Sequence, residues 1–239
     1  DIAATNENEL IAMMINRSIE QIYHKDSFEF GKPILETRNL SGKGFENISL
    51  TVREGEIVGL YGLIGAGRSE FVTTVFGRYP KSSGSILWKG EEVNIRREKD
   101  AIKLGIALAP ESRRDQGLCL SLPVSLNLNL PVYPKLSRGG IISKSKESPQ
   151  ADRQIADLRI KTSTHSASAA SLSGGNQQKI VIGKWLNHGA KLFIFDEPTV
   201  GVDVGTKAEI YRLFSALLSQ GAGIILISSY LPEVYELAD

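Results

Sequence analysis

The chain has 239 residues, 41% of them hydrophobic, and its 28 Lys and Arg against 27 Asp and Glu give a formal net charge of +1. This composition can fill the core of a large domain, and the charge balance argues against a nucleic-acid groove or a polybasic membrane surface. The single cysteine, Cys119, excludes an internal disulfide, and no apolar run approaches the roughly 18 to 20 residues that span a bilayer. We therefore expect a cytoplasmic protein without nucleic-acid partners, in which Cys119 is a small buried residue.

The N-terminal part predicts a helix followed by a linker. Apolar residues recur at helical spacing between Leu10 and Ile22, which predicts an amphipathic helix within residues 7–23. A mixed polar stretch then predicts a linker at about residues 24–33, and β-rich segments follow at residues 33–40 and 48–52.

A glycine-rich loop follows the next strand, at residues 56–60, and precedes a helix at residues 70–76. The loop fits the phosphate-binding pattern G-x-x-x-x-G-K-[ST], except that Arg68 stands where lysine is expected. The planar guanidinium is bulkier than an ammonium, so we expect weaker γ-phosphate stabilisation, while Ser69 keeps its role as a Mg²⁺ ligand. The alternative is a strand-to-helix turn that binds nothing. The candidate nucleotide-binding residues here are Gly62, Leu63, Gly65, Ala66, Gly67, Arg68, Ser69 and Glu70.

A second turn-rich zone at residues 82–99 contains a predicted hairpin at residues 83–90, and the polar stretch between Glu111 and Ser171 predicts helices joined by loops. The run Leu172-Ser173-Gly174-Gly175-Asn176-Gln177-Gln178-Lys179 comes next, and it predicts a turn that opens a helix. Such a turn aims backbone N–H groups and a hydroxyl at a phosphate, using the positive end of the helix. The candidate nucleotide-contacting residues of this turn are Ser173, Gly174, Gly175 and Gln177.

Two apolar segments, residues 192–195 and 223–228, lack polar alternation, as parallel strands buried on both faces do. The first ends in Asp196-Glu197-Pro198, where an open α/β sheet places ligand-binding groups. Asp196 is a candidate Mg²⁺ ligand, through water, and Glu197 is the candidate catalytic residue that orients or deprotonates the attacking water. The alternative is a solvated turn that Pro198 ends. The fold class predicted is α/β.

These ordered motifs resemble the nucleotide-binding domain of an ABC transporter, and more narrowly the second of two such domains in the tandem ATPase subunits of bacterial monosaccharide importers. The resemblance covers nearly the whole chain. The segments that carry the narrower resemblance are Gly62 to Glu70, Gly174 to Lys179, Asp196-Glu197-Pro198-Thr199-Val200-Gly201-Val202-Asp203-Val204-Gly205 and Ser228-Ser229-Tyr230-Leu231-Pro232-Glu233.

The resemblance implies a P-loop NTPase core with a mainly parallel sheet, an antiparallel β subdomain and a helical subdomain at about residues 111–185. The ABC domain would span residues 34–239 and be truncated at its C-terminus. Residues 1–23 would be the C-terminal helix of a preceding ABC domain, because residues 9–17 look like the end of such a domain. The alternative is a packing element that belongs to this domain.

The resemblance also implies departures from an active site. Glu111 occupies the position of the glutamine that senses the γ-phosphate and contacts the permease, and Ser229 that of the switch histidine. Phe45 is a weak candidate for stacking on adenine and fits a core residue better. Together with Arg68, these residues imply a site that hydrolyses ATP slowly or not at all, and an isolated domain of weak or absent activity.

ABC domains work as head-to-tail pairs, so Ser173, Gly174 and Gly175 would complete the site on the other domain's phosphate loop, with Asp203 at the interface. The implied cofactors are ATP and Mg²⁺. The implied partners are the preceding ABC domain of the same polypeptide, a transmembrane permease and, indirectly, a periplasmic or extracellular sugar-binding protein. The implied location is peripheral, on the cytoplasmic face of the bacterial plasma membrane.

Two functions stay open at this point: an ATPase half that drives sugar import, and a nucleotide-gated dimerisation module that does not turn over. The ATPase of a nucleoside importer is a further alternative, because such subunits share the Asn-Gln-Gln extension of the signature. An ATPase of DNA repair is disfavoured, since the sequence has no long coiled-coil or metal-bearing insertion. Ribose, galactose and xylose remain equal candidates for the transported sugar.

Overall fold

The computed structural model describes residues 26, 28–63, 65–138 and 141–239. The predicted helix at residues 7–23 lies outside the described residues, as does part of the predicted linker at 24–33. In the described part of the chain, eight strands form two four-stranded sheets with helices packed against them, and two short strands pair separately.

The central sheet is parallel, with the strand order β3-β10-β9-β6. Every residue of β6, β9 and β10 is buried, which explains why the sequence of these strands is continuously apolar rather than alternating. The strands predicted at 192–195 and 223–228 are confirmed. The four strands are β3 (Ile57–Tyr61), β6 (Ile106–Ala109), β9 (Leu192–Asp196) and β10 (Gly223–Ser228).

The second sheet is antiparallel, with the order β2-β1-β4-β5. Lys89 and Gly90, both with positive φ, form the turn of the β4–β5 hairpin, so the hairpin predicted here turns at the end of the predicted segment. Phe45 packs edge-to-face on Phe71, with ring centroids 5.5 Å apart, and is a core residue as expected. The strands are β1 (Pro33–Gly42), β2 (Phe45–Arg53), β4 (Lys81–Trp88) and β5 (Glu91–Val93).

The segment between β6 and β9 is mainly helical, and it also contains a two-stranded pairing that the sequence did not predict. Asn127 holds the loop before its own helix, because its Oδ1 accepts from Cys119 N at 2.8 Å and its Nδ2 donates to Cys119 O at 3.0 Å. Cys119 itself is exposed, so the expectation of a buried cysteine was wrong: it lies in a loop whose backbone, rather than its side chain, is held. The elements here are one π-helical turn (Arg113–Gly117), α3 (Val124–Asn129), α4 (Tyr133–Leu136), β7 (Ser137–Arg138), β8 (Ile141–Ile142), α5 (Lys144–Asp157) and α6 (Gly174–His188).

Helix α6 joins this helical segment to the central sheet. Trp185 Nε1 donates to Leu108 O at 2.8 Å, and Lys184 Nζ donates to Gly117 O at 2.7 Å. Burial lowers the pKa of Lys184 to about 8. Both bonds are buried and therefore costly to lose, so they fix the position of α6 against β6 and the π turn. The other helices are α1 (Arg68–Val75), α2 (Glu98–Leu104), α7 (Val204–Leu218) and α8 (Leu231–Leu237).

The parallel arrangement places the candidate residues at one edge of the sheet. Because β3, β6, β9 and β10 run in the same direction, the loops that follow them begin at the same edge. These loops carry the glycine-rich segment, Glu111, Glu197 and Ser229. The fold thus accounts for the convergence of groups that are far apart in sequence.

Two glycines of the phosphate loop differ in how closely the surrounding chain packs on them. Gly65 and Gly67 have φ of 83° and 82°, but a Cβ at position 65 would meet nothing within 4 Å, whereas one at position 67 would overlap the Gly44 carbonyl oxygen. We expect Gly65→Ala to cost about 1 kcal/mol of unfolding free energy through backbone strain alone. Gly67→Ala should cost about 3 kcal/mol or more, because the backbone at Gly44 must also move. Urea unfolding measures both changes, and equal losses would contradict this account.

Candidate functional site

The phosphate loop runs from Gly62 to Ser69, between β3 and α1. Ala66 N donates to Leu63 O at 3.1 Å, and Gly67 begins the helix, with its carbonyl accepting from Phe71 N at 2.9 Å. Glu70 lies in the first turn of α1. The strand, loop and helix that the motif requires are therefore present. Gly65 and Ala66 are exposed, so their backbone is accessible to a ligand.

Arg68 folds back from this loop toward the end of β10. Its Nη1 donates to Ser228 O at 3.0 Å and lies 3.9 Å from Glu197 Oε1. The two side chains are only 14% and 10% exposed, so water weakens their attraction less than it does at the surface. The guanidinium is thus already engaged by a carbonyl and a carboxylate of this chain.

Asp196 ends β9 and is 4% exposed. The pKa of Asp196 is raised to about 6, chiefly by burial and also by the carboxylates of Glu111 and Glu197, while a hydrogen bond to Ser69 and the charge of Arg68 oppose the rise. Its Oδ1 is buried without a hydrogen-bond partner. A carboxylate oxygen without a partner beside a serine hydroxyl is a donor set that suits Mg²⁺, so the residues present fit the implied cation.

Glu197 follows directly, with a φ of 49°, which places it in the left-handed region. Its N–H donates to Ile227 O at 3.0 Å, which fixes the backbone against the end of β10. Burial raises the pKa of Glu197, although hydrogen bonds from the side chain and backbone of Ser229, and the charge of Arg68, lower it in part. Ser229 therefore contacts the candidate catalytic carboxylate.

A cavity of about 140 Å³ lies beside the first turn of α1 and the end of β9. Ser69 and Asp196 line it, as does Glu111, whose charge raises the pKa of Asp196. The structure thus brings together the candidate magnesium ligands and the residue in the position of the γ-phosphate sensor. An acidic side chain at this wall opposes the approach of phosphate unless a cation or proton offsets its charge.

A buried hydrogen-bond cluster behind Glu197 was missed by the sequence analysis. Glu233 is 1% exposed, and its Oε1 accepts from Thr199 Oγ1 at 2.8 Å and from Tyr211 OH at 2.7 Å. Its charge raises the pKa of Glu197. The segment Pro232-Glu233 was part of the recognised motif, but nothing in its spacing showed that the carboxylate turns inward to meet two hydroxyl groups.

The signature turn forms a second group of site residues. Ser173 is the N-cap residue of α6, and its Oγ accepts from Asn176 Nδ2 at 2.9 Å, while Asn176 Oδ1 accepts from Lys161 N at 2.8 Å. Gln177 is 4% exposed and donates to the carbonyl oxygens of Ala169 and Leu172 at 3.1 and 3.2 Å. The Gln177 side chain is therefore buried, where it holds the backbone before the turn through hydrogen bonds, and it does not face the surface as a nucleotide contact would.

Gly174 and Gly175 are closely packed within the turn. A Cβ on Gly175 would lie 2.7 Å from Thr206 Oγ1, so α7 packs directly on the turn. Asp203 caps α7 by accepting from Thr206 N at 3.0 Å and from Thr206 Oγ1 at 2.8 Å. These hydrogen bonds lower the pKa of Asp203, and the bond from the Thr206 side chain contributes most. Ser173 and Asp203 share a cavity of about 420 Å³ that has no lining residue in common with the cavity at Ser69.

Among the residues that the structure describes, no helix is both long enough and apolar enough to cross a membrane.

Residues 45–200 match the family model described as ABC transporter. The ribose import ATP-binding protein RbsA 2 of Rhizobium johnstonii is 42% identical over 236 residues, which are 98% of this chain and 46% of that protein. The ribose import ATP-binding protein RbsA of Bacillus cereus is 44% identical over 239 residues, which are 100% of this chain and 48% of that protein. The chain spans about half the length of the curated relatives it matches.

Solved structures confirm the predicted fold. A nucleotide-free ATP-binding cassette from an ABC transporter superposes with a TM-score of 0.74 at 21% identity, covering 87% of this chain and 85% of that one. A dimeric post-hydrolysis state of an ATP-binding cassette bound to ADP and Pi gives a TM-score of 0.73 at 19% identity, covering 85% of this chain and 91% of that one.

The raised pKa of Asp196 predicts a pH-dependent stability in the absence of Mg²⁺ and nucleotide. The pKa rises from 3.8 to about 6 on folding, so ionisation opposes folding, and stability falls as the pH rises from about 4 to about 6. We expect Asp196→Asn to equal the native chain near pH 4 and to exceed it by about 2 to 3 kcal/mol above pH 7. Thermal unfolding across this pH range measures the difference.

The control for that experiment is Asp157→Asn, which removes an exposed carboxylate of α5 outside the site. This variant should follow the pH profile of the native chain. A constant difference between Asp196→Asn and the native chain at all pH values would contradict the assignment.

Proposed function

Since the chain belongs to the ABC transporter family, we propose that it is the second ATP-binding domain in the tandem ATP-binding subunit of a bacterial monosaccharide importer. The similarity to ribose import ATP-binding proteins favours a sugar over a nucleoside as cargo. Those relatives are about twice as long as this chain, which leaves room for a preceding ABC domain of similar size. The proposed location is peripheral, on the cytoplasmic face of the plasma membrane, with a permease as direct partner and a sugar-binding protein as indirect partner.

The nucleotide site is proposed to lie at the carboxyl edge of the central sheet. Backbone N–H groups between Gly65 and Ser69 would bind the phosphates, in the way that a glycine-rich loop before a helix does. Ser69 and Asp196 would hold Mg²⁺. Its charge would offset the negative charges of the phosphates and of the Asp196 and Glu197 carboxylates. The signature turn at Ser173 to Gly175 would be donated to the phosphate loop of the preceding domain.

One observation carries the proposal that this domain's own site hydrolyses ATP poorly. Arg68 is bonded to Ser228 O and paired with Glu197, so it is drawn away from the phosphates. Glu197 also accepts from Ser229, so the carboxylate that would orient the attacking water is already engaged by Arg68 and Ser229. The same contacts favour the second candidate function, a nucleotide-gated dimerisation module that binds ATP without turning it over.

Nucleotide binding by this chain is the first test of the proposed function. We expect calorimetry to show weak binding of Mg²⁺-ADP and Mg²⁺-ATP, and about tenfold tighter binding by Arg68→Lys. An ammonium reaches the phosphates as a compact charge and does not have to give up two guanidinium contacts. Arg153→Lys, at an exposed position of α5, is the control and should bind like the native chain. If folded samples of the native chain and of Arg68→Lys both fail to bind, the proposed nucleotide site is wrong.

A second test of the proposed function separates the two candidate functions. In the whole protein assembled with its permease, Glu197→Gln should change ATP turnover by less than about twofold if this site does not hydrolyse. The corresponding replacement in the other ABC domain, where turnover would take place, serves as the positive control and should abolish turnover. A loss of about tenfold or more with Glu197→Gln would instead assign hydrolysis to this site.

A further inference from the structure

Arg113 bonds to the loop that follows Glu197, although it belongs to the segment after β6. Its Nη1 donates to Val200 O at 2.8 Å and its Nη2 to Gly201 O at 3.3 Å. The Nε is buried without a hydrogen-bond partner, so the two carbonyls supply the hydrogen bonds of this guanidinium. A fork with several donors can hold two successive carbonyls at once, which a lysine ammonium does less well.

The same guanidinium packs against the signature turn. A Cβ on Gly174 would lie 2.7 Å from Arg113 Nη2, and one on Gly201 would lie 3.4 Å from it. Gly174 therefore allows Arg113 to cross the start of α6. One side chain thus touches both the signature turn and residues 200–201.

The segment that carries Arg113 also forms a wall of the cavity at Ser69. Glu111, Ser112 and Gln116 line that cavity. The π turn is held internally, because Gln116 N donates to Ser112 O at 2.9 Å, and it is held from outside by Lys184 on Gly117 O at 2.7 Å. The wall of the cavity and Arg113 thus belong to one short segment that hydrogen bonds hold together.

We propose that Arg113 is a positioning residue that couples nucleotide occupancy of the cavity at Ser69 to the placement of residues 199–203 and of the signature turn at residues 173–175. The proposal rests on the proposed function, because it requires that nucleotide bind at the phosphate loop. Coupling through a contiguous chain of contacts predicts that breaking one link leaves binding intact and stops its spread. The link here is the pair of bonds to Val200 and Gly201.

Hydrogen exchange in the 239-residue chain tests this link, because the affected segments contain reporter amides. Val202 N donates to Thr199 O at 3.3 Å, and Gln177 N donates to Ser173 O at 2.9 Å. In the native chain, saturating Mg²⁺-ADP should slow exchange at both amides about fivefold, the lower end of ordinary coupling between sites. In Arg113→Gln, calorimetry should give a Kd within about threefold of the native value, while the slowing at both amides disappears.

The matched control is Arg114→Gln, which removes the same charge from the neighbouring, exposed position and should keep the native response. Arg113→Lys keeps the charge and should retain part of the slowing, which separates the fork geometry from charge. A full native response in Arg113→Gln would overturn the proposal, and so would equal losses in the Arg113→Gln and Arg114→Gln variants. Absence of nucleotide binding by the native chain would instead overturn the proposed function, so the two failures are distinguishable.

Discussion

Two adjacent carboxylates at the end of a completely buried strand are the constraint on which the site depends. Asp196 and Glu197 follow β9, and burial raises the pKa of both. Like charges in such surroundings cost free energy unless donors or cations balance them. Arg68, Ser69 and Ser229 provide this balance from the loops after β3 and β10, while Asp196 Oδ1 has no partner. The parallel sheet brings these loops together, and the negative charge that they leave uncompensated favours a divalent cation.

The two groups of site residues differ in how ready they are for a ligand. Asn176 and Gln177 hold the signature turn with hydrogen bonds to its hydroxyl and to the carbonyls before it, so a phosphate there would meet a turn already in place. At the phosphate loop, by contrast, Arg68 would have to exchange Ser228 O and Glu197 for the ligand. This difference supports the proposal that the signature turn serves the site of the preceding domain well, whereas the phosphate loop forms a poor site in this domain.

The sequence predicted the framework well, because the framework depends on local patterns. Continuous apolar runs located β9 and β10, and the glycine spacing located the loop between β3 and α1. It did not predict the direction of Arg68, because a long side chain is placed by acceptors such as Ser228, 160 residues away. It missed the pairing of β7 with β8, whose strands have two residues each and leave almost no periodicity to detect.

The sequence did not predict the buried position of Glu233 either, since an acidic residue in the first turn of a helix is normally expected to face solvent. Glu233 and Arg113 hold neighbouring parts of the same loop. Thr199 bonds to Glu233 through its side chain, while Val200 and Gly201 bond to Arg113 through their carbonyls. Three successive residues are therefore held from two sides, by α8 and by the segment after β6. This loop begins two residues after Glu197 and ends at the cap of α7, so its position depends on α8 and on the segment after β6 at once.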